Sequence, residues 1–166
     1  MNIPRHYDIS TLLRPYKALI LFGSRQVGKT TLLEDFLNKT SLKTKLDTGD
    51  NIRLRALFES RELERLQEYV EGYELVAIDE AQRLPYAGEC LKIMLDKKMV
   101  KYILVTGSSS FELAGQIGEP LTGRKNSHTL YPIAQMELTS LYNRHELKEQ
   151  LAERLVLGSY PAVVTA

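Results

Sequence analysis

At 166 residues, with 43% hydrophobic and 26% charged residues, the chain has the length and balance of one globular domain. That composition excludes a disordered, collagen-like or coiled-coil chain. Lys and Arg (22) nearly match Asp and Glu (21), so no global field marks a nucleic-acid or acidic-membrane partner, though a local basic patch is compatible with the balance. Cys90 is the one cysteine, which excludes an intrachain disulfide and points to a reducing compartment. No run reaches the ~20 apolar residues of a bilayer span and the amino terminus lacks a signal peptide's apolar middle, so a cytoplasmic chain with no membrane partner is expected.

Short apolar runs alternate with helical patterns. Ala18-Leu19-Ile20-Leu21-Phe22 is continuous, the mark of a strand buried on both faces of a parallel sheet. A helix is expected over about Lys29–Asn38, and a short strand over Leu42–Leu46. Asp50 and Ser60 are expected to cap the next two helices, the second carrying Leu63, Leu66 and Val70 on one face. Leu75–Ile78 and Tyr102–Val105 read as two further buried strands, with a helix between them carrying Cys90, Leu91, Met94 and Leu95. Residues 111–126 read as a short helix plus loop, and His128–Tyr131 as an edge strand. Helices are expected over Ala134–Leu141 and Glu146–Leu157, the last ended by Gly158. Strand and helix in alternation predict a doubly wound α/β fold.

Gly23-Ser24-Arg25-Gln26-Val27-Gly28-Lys29-Thr30 matches G-x-x-x-x-G-K-[ST], placed between a buried strand and an amphipathic helix as that motif requires. Its glycines let the backbone curl so that several N–H groups converge on one centre, and the helix terminus adds partial positive charge. Lys29 reaches the β- and γ-phosphates of a nucleoside triphosphate, and the Thr30 hydroxyl binds Mg²⁺. Asp79 and Glu80 end the second buried strand, where ligands of a parallel sheet sit. Asp79 is placed to hold Mg²⁺ through water. Glu80, pointing away from it, is the candidate general base for the attacking water, which favours hydrolysis over transfer to an acceptor. Thr106, Ser108 and Ser109 follow the third buried strand. If that strand lies between the other two, one of these hydroxyls faces the γ-phosphate, with Ser108 the catalytic candidate retained. By spacing alone Arg124 is a loop arginine. His6, His128 and His145 show no metal-ligand spacing, and Cys90 reads as a small core residue.

The chain resembles the AAA-type P-loop ATPases of bacteria and archaea whose ATPase domain precedes a carboxy-terminal domain of unknown function. The resemblance rests on the loop through Thr31, on Ile78-Asp79-Glu80-Ala81-Gln82-Arg83-Leu84, on Thr106-Gly107-Ser108-Ser109, and on Leu121-Thr122-Gly123-Arg124 with Leu130-Tyr131-Pro132-Ile133 and Glu137. It implies a P-loop NTPase three-layer sandwich with about five parallel strands and the start of a helical lid. It also implies that the Asp79 strand is not adjacent to the loop strand. Arg124 resembles an arginine finger acting on a neighbouring subunit, and Pro161 resembles a proline that packs near adenine. The expected organisation is an ATPase core over 1–145 and the start of a lid over 146–166, with the apolar ending reading as interrupted. The expected function is Mg²⁺-dependent ATP binding and hydrolysis coupled to a partner protein, a homo-oligomer or a missing domain. The alternatives are a nucleotide-dependent switch with little turnover and a nucleic-acid-associated motor.

Overall fold

The structure is a computed structural model, and it describes residues 3–108 and 119–165. In chain order the described elements are α1 (Ile9–Leu12), β1 (Ala18–Phe22), α2 (Lys29–Leu37), β2 (Thr44–Thr48), α3 (Ile52–Ser60), α4 (Leu63–Val70) and β3 (Leu75–Asp79). A 3₁₀ turn (Ala81–Arg83) leads to α5 (Ala87–Asp96), β4 (Tyr102–Gly107) and β5 (Lys125–Thr129). Four short helices follow: α6 (Gln135–Leu138), α7 (Arg144–Glu149), α8 (Leu151–Leu157) and α9 (Pro161–Val164).

Five strands form one parallel sheet in the order β2-β3-β4-β1-β5. β4 therefore separates the loop strand β1 from the Asp79 strand β3, as the resemblance implied. Side chains on a strand alternate between faces, and the apolar residues divide accordingly. Ala18, Ile20, Phe22, Val76, Ile78, Ile103 and Val105 join α3, α4 and α5 in one core, around Phe58, Leu66, Leu91 and Met94. Leu19, Leu21, Leu75, Ala77 and Leu104 meet α1 and α2 in a second core, around Ile9 and Leu33. Burying one such Leu or Ile contributes about 1.5–3 kcal/mol, so both faces must be covered and three layers result. The edge strands β2 and β5 are only partly buried and carry polar residues, which discourages pairing with another chain.

Several local expectations change. Asn51, not Asp50, caps α3 by accepting from the Arg53 N–H at 3.0 Å. Asp50 instead pairs with Arg83. Ser60 is the last residue of α3, where its hydroxyl donates to the Leu57 carbonyl, and α4 starts after Glu62. The second strand lies two residues later than expected, at Thr44–Thr48, and the edge strand three residues earlier, at Lys125–Thr129. The helix expected over 134–141 is a single turn, α6. The helix expected over 146–157 is two helices, α7 and α8, meeting at Gln150 and ended by Gly158 at φ +84°. Apolar spacing alone did not reveal that break. Half of the segment expected as a short helix plus loop, residues 111–118, lies outside the described residues.

Candidate functional site

The loop after β1 wraps onto the amino terminus of α2. Gly28, at φ +98°, occupies the left-handed region at the helix cap, where a Cβ would be strained. It lets the chain turn from loop into helix without a capping side chain over the terminal amides. Ser24, Arg25 and Gln26 are exposed along the loop and Val27 is buried beneath it. Lys29 is only 4% exposed, and its Nζ donates to the Gly23 and Ser24 carbonyls at 2.8 Å each, lying across the loop's mouth. Burial pushes its pKa below the ordinary lysine range, opposed by the Glu80 and Asp79 carboxylates and reinforced by Arg25. A desolvated cation of this kind gains strongly from an incoming anion.

Thr30 and Thr31 follow on the exposed first turn of α2. The Thr30 hydroxyl donates to Asp79 Oδ2 at 2.8 Å, across 49 residues of sequence. The other oxygen, Asp79 Oδ1, accepts from the fully buried Thr106 hydroxyl at the end of β4, and the Glu80 N–H donates to that same hydroxyl at 3.1 Å. Three strands thus bring Lys29, Thr30, Asp79, Glu80 and Thr106 to one edge of the sheet. Of the three hydroxyls weighed after β4, Thr106 joins Asp79. Ser108 follows the strand and Ser109 lies outside the described residues.

Hydroxyl and carboxylate oxygens are the hard donors that Mg²⁺ takes, with phosphates and water completing its shell. Among the described residues no group of three or more His, Cys, Asp or Glu forms a metal centre by itself. The Thr30–Asp79 pair therefore suits an ion that arrives with phosphate.

Glu80 adopts a left-handed conformation, φ +53° and ψ +42°, as the strand gives way to the 3₁₀ turn. This is a costly state for a non-glycine residue, of order 1–3 kcal/mol. Its surroundings hold it there. The Gly49 N–H donates to the Asp79 carbonyl at 2.8 Å, and a Cβ on Gly49 would lie 2.2 Å from the Glu80 carbonyl oxygen. Glycine is thus required where the turn after β2 packs on the turn after β3. The Glu80 carboxylate accepts from the Gln82 amide. The same carboxylate acts on the buried Lys29 ammonium more strongly than that of Asp79 does.

Arg124 is not brought to this edge. It precedes Lys125, which pairs in register with Ala18, whereas Thr129 pairs with Phe22 beside the loop. At ~3.3 Å per residue, Arg124 lies roughly 20 Å down the sheet from Gly23. There it pairs with Asp96 on the surface. Pro161 does reach the loop: its Cγ is 3.8 Å from where a Gly28 Cβ would be. Both residues line a cavity of about 820 Å³ together with Ile3, Tyr7, Thr31 and Phe36.

Sequence reasoning missed Gly49, Gln82 as a partner of Glu80, and the amino-terminal Arg5. Thr48-Gly49-Asp50 is at least a turn signal. Arg5 has no local signal at all, because its partners are more than 20 residues away.

A five-stranded parallel sheet with a glycine-rich loop between β1 and α2 defines a P-loop NTPase-type α/β domain. Residues 15–139 match the AAA domain family, and the chain belongs to it. Membership carries an ATP-binding, ATPase-like function. Two curated relatives are the uncharacterized proteins Mb2031c of Mycobacterium bovis and Rv2008c of Mycobacterium tuberculosis. Each is 31% identical over 150 residues, covering 89% of this chain and 31% of the relative. The chain thus spans about a third of the length of these relatives. Among the described residues no helix is long and apolar enough to cross a membrane.

Proposed function

We propose that the chain binds ATP with Mg²⁺ and hydrolyses it at the carboxyl edge of the sheet. The observation that carries this reading is the 2.8 Å bond between the Thr30 hydroxyl and Asp79, two oxygen ligands from separate elements meeting beside the Lys29 loop. The amides from Ser24 to Thr31 and the Lys29 ammonium receive the phosphates. Lys29 exchanges its loop carbonyls for phosphate oxygens as the nucleotide enters. Thr30 and Asp79 would hold Mg²⁺, which when bound neutralises charge on the phosphate oxygens. Glu80 takes the proton of the attacking water. Thr106 keeps Asp79 and the Glu80 backbone in register, and Ser108 is the residue that faces the reacting phosphate. The cavity between Gly28 and Pro161 receives the base. Arg124 is too far from its own loop to act there, so it serves a neighbouring subunit. The work of hydrolysis passes to a partner protein or to a further domain.

A nucleotide-dependent switch with little turnover is the second reading. The Gln82–Glu80 contact supports it, because the amide occupies one of the two Glu80 carboxylate oxygens that would otherwise be open to water. Phosphate release by the purified protein separates the two. Under the hydrolytic reading, Glu80→Gln retains ATP binding while turnover falls by roughly 10²-fold or more, the usual worth of a general base. Unchanged turnover in that variant would remove Glu80 from the mechanism. Tight ATP binding without measurable release by the wild type would establish the switch.

A further inference from the structure

The amino-terminal segment lies outside every motif, yet it touches the phosphate loop through one side chain. Arg5 Nη1 donates to the Val27 carbonyl at 2.9 Å, Nε donates to Glu137 Oε1 at 3.1 Å, and Nη2 donates to the Tyr131 carbonyl. The Arg5 and Glu137 side chains are 10% and 5% exposed. Glu137 is fixed in turn by the His6 N–H at 2.7 Å and by the Ala134 N–H at 2.9 Å. Ile3 anchors the same segment in a small apolar cluster with Ile133 and Leu138. A buried ion pair of this kind contributes little net stability over an apolar pair of the same shape. What it does supply is a fixed fork of donors, and one prong ends on the loop.

Val27 and Gly28 share a planar trans peptide, in which C=O and N–H point in opposite directions. A carbonyl held toward Arg5 therefore turns the Gly28 N–H away from Arg5. Without that bond, the Val27–Gly28 peptide can flip and present a carbonyl oxygen where an anion needs a donor. Gly28 has no Cβ to resist the flip. We propose that Arg5 is a positioning residue of the nucleotide site: clamped by Glu137, it fixes the Val27–Gly28 peptide so that the Gly28 amide stays aimed at phosphate. The same clamp ties the loop to α6, so the loop cannot rearrange without disturbing the helices after β5. This inference rests on the nucleotide-binding reading above.

Four proteins are compared by Mg-ATP titration and by thermal midpoint with and without Mg-ATP: wild type, Lys29→Ala, Arg5→Lys, and the paired Arg5→Met/Glu137→Gln variant. The paired variant leaves no unpaired buried charge and keeps an amide oxygen that can accept from the His6 or Ala134 N–H. It is expected to keep its nucleotide-free midpoint while its ATP affinity falls by roughly tenfold or more, the scale of loss when a contact group is misplaced. The midpoint rise induced by ATP shrinks with it. Arg5→Lys keeps the charge but not the fork, and loses affinity by a smaller factor. Wild-type affinity in both variants overturns the proposal. So does an affinity loss that only follows a fall in the nucleotide-free midpoint, in either variant. If the wild type binds no better than Lys29→Ala, the nucleotide-binding reading fails instead.

Discussion

The two ends of the sheet use the same strands for opposite purposes. At the carboxyl ends of β1, β3 and β4, Lys29, Asp79, Glu80 and Thr106 converge, a cation is buried, and Glu80 is held in a strained turn. At the amino ends, turns simply enter the sheet: the Tyr16 N–H donates to the Lys101 carbonyl, the Ala18 N–H to the Arg124 carbonyl, and Arg124 pairs with Asp96 in solvent. Every strand points the same way, so residues that end strands meet and residues that begin them meet elsewhere. The end of the sheet at which a residue falls, rather than its type, therefore separates Asp79 from Asp96 and Lys29 from Arg124.

The largest expected effect tests the carboxyl end. Lys29→Ala removes the buried ammonium and should abolish ATP binding or nearly so, read by titration calorimetry; unchanged affinity would take the loop out of the site. An intermediate effect tests the amino end. Arg124→Ala should leave the ATP affinity of the isolated protomer unchanged, because the sheet lies between Arg124 and its own loop. Any loss of turnover in this variant should depend on protein concentration. A turnover loss independent of concentration would mean that the two ends communicate within one chain. The smallest effect tests the packed layer between them. Burial pushes the Cys90 thiol up to about 12, and its Sγ contacts the Phe58 carbonyl at 3.4 Å. The folded chain thus keeps the thiol proton over a pH range, above about 9, where the unfolded chain releases it. Unfolding then sheds protons, so this group's contribution to stability falls as pH rises from about 9 toward 12. At pH 8 a thiol reagent should label native Cys90 far more slowly than urea-unfolded protein, and equal rates would contradict its burial.

The central strands were legible because burial on both faces leaves continuous apolar runs, as in Ala18–Phe22 and Leu75–Ile78. The loop was legible because its contacts are with its own backbone and the following helix. The edge strands were displaced by two or three residues, since half-buried segments such as Lys125–Thr129 carry mixed side chains and no clear period. The capping expectations failed at Asp50 and Ser60 because several polar residues neighbour each helix start. Which of them caps is decided by where the chain turns. Asp50 was drawn off by Arg83, a partner 33 residues away.

The sequence by itself determined the α/β class, the loop from Gly23 to Thr30 and the Asp79–Glu80 pair, because each is written in consecutive residues that obey local rules of backbone and periodicity. The tertiary structure alone decided the rest. Strand order put β4 between β1 and β3 and so delivered Thr106 to Asp79. The close packing of two turns required Gly49 beneath Glu80. Parallel register carried Arg124 to the far end of the sheet, and a guanidinium five residues from the start of the chain reached Val27. These are contacts between distant segments, set by how layers stack, and no local pattern encodes them.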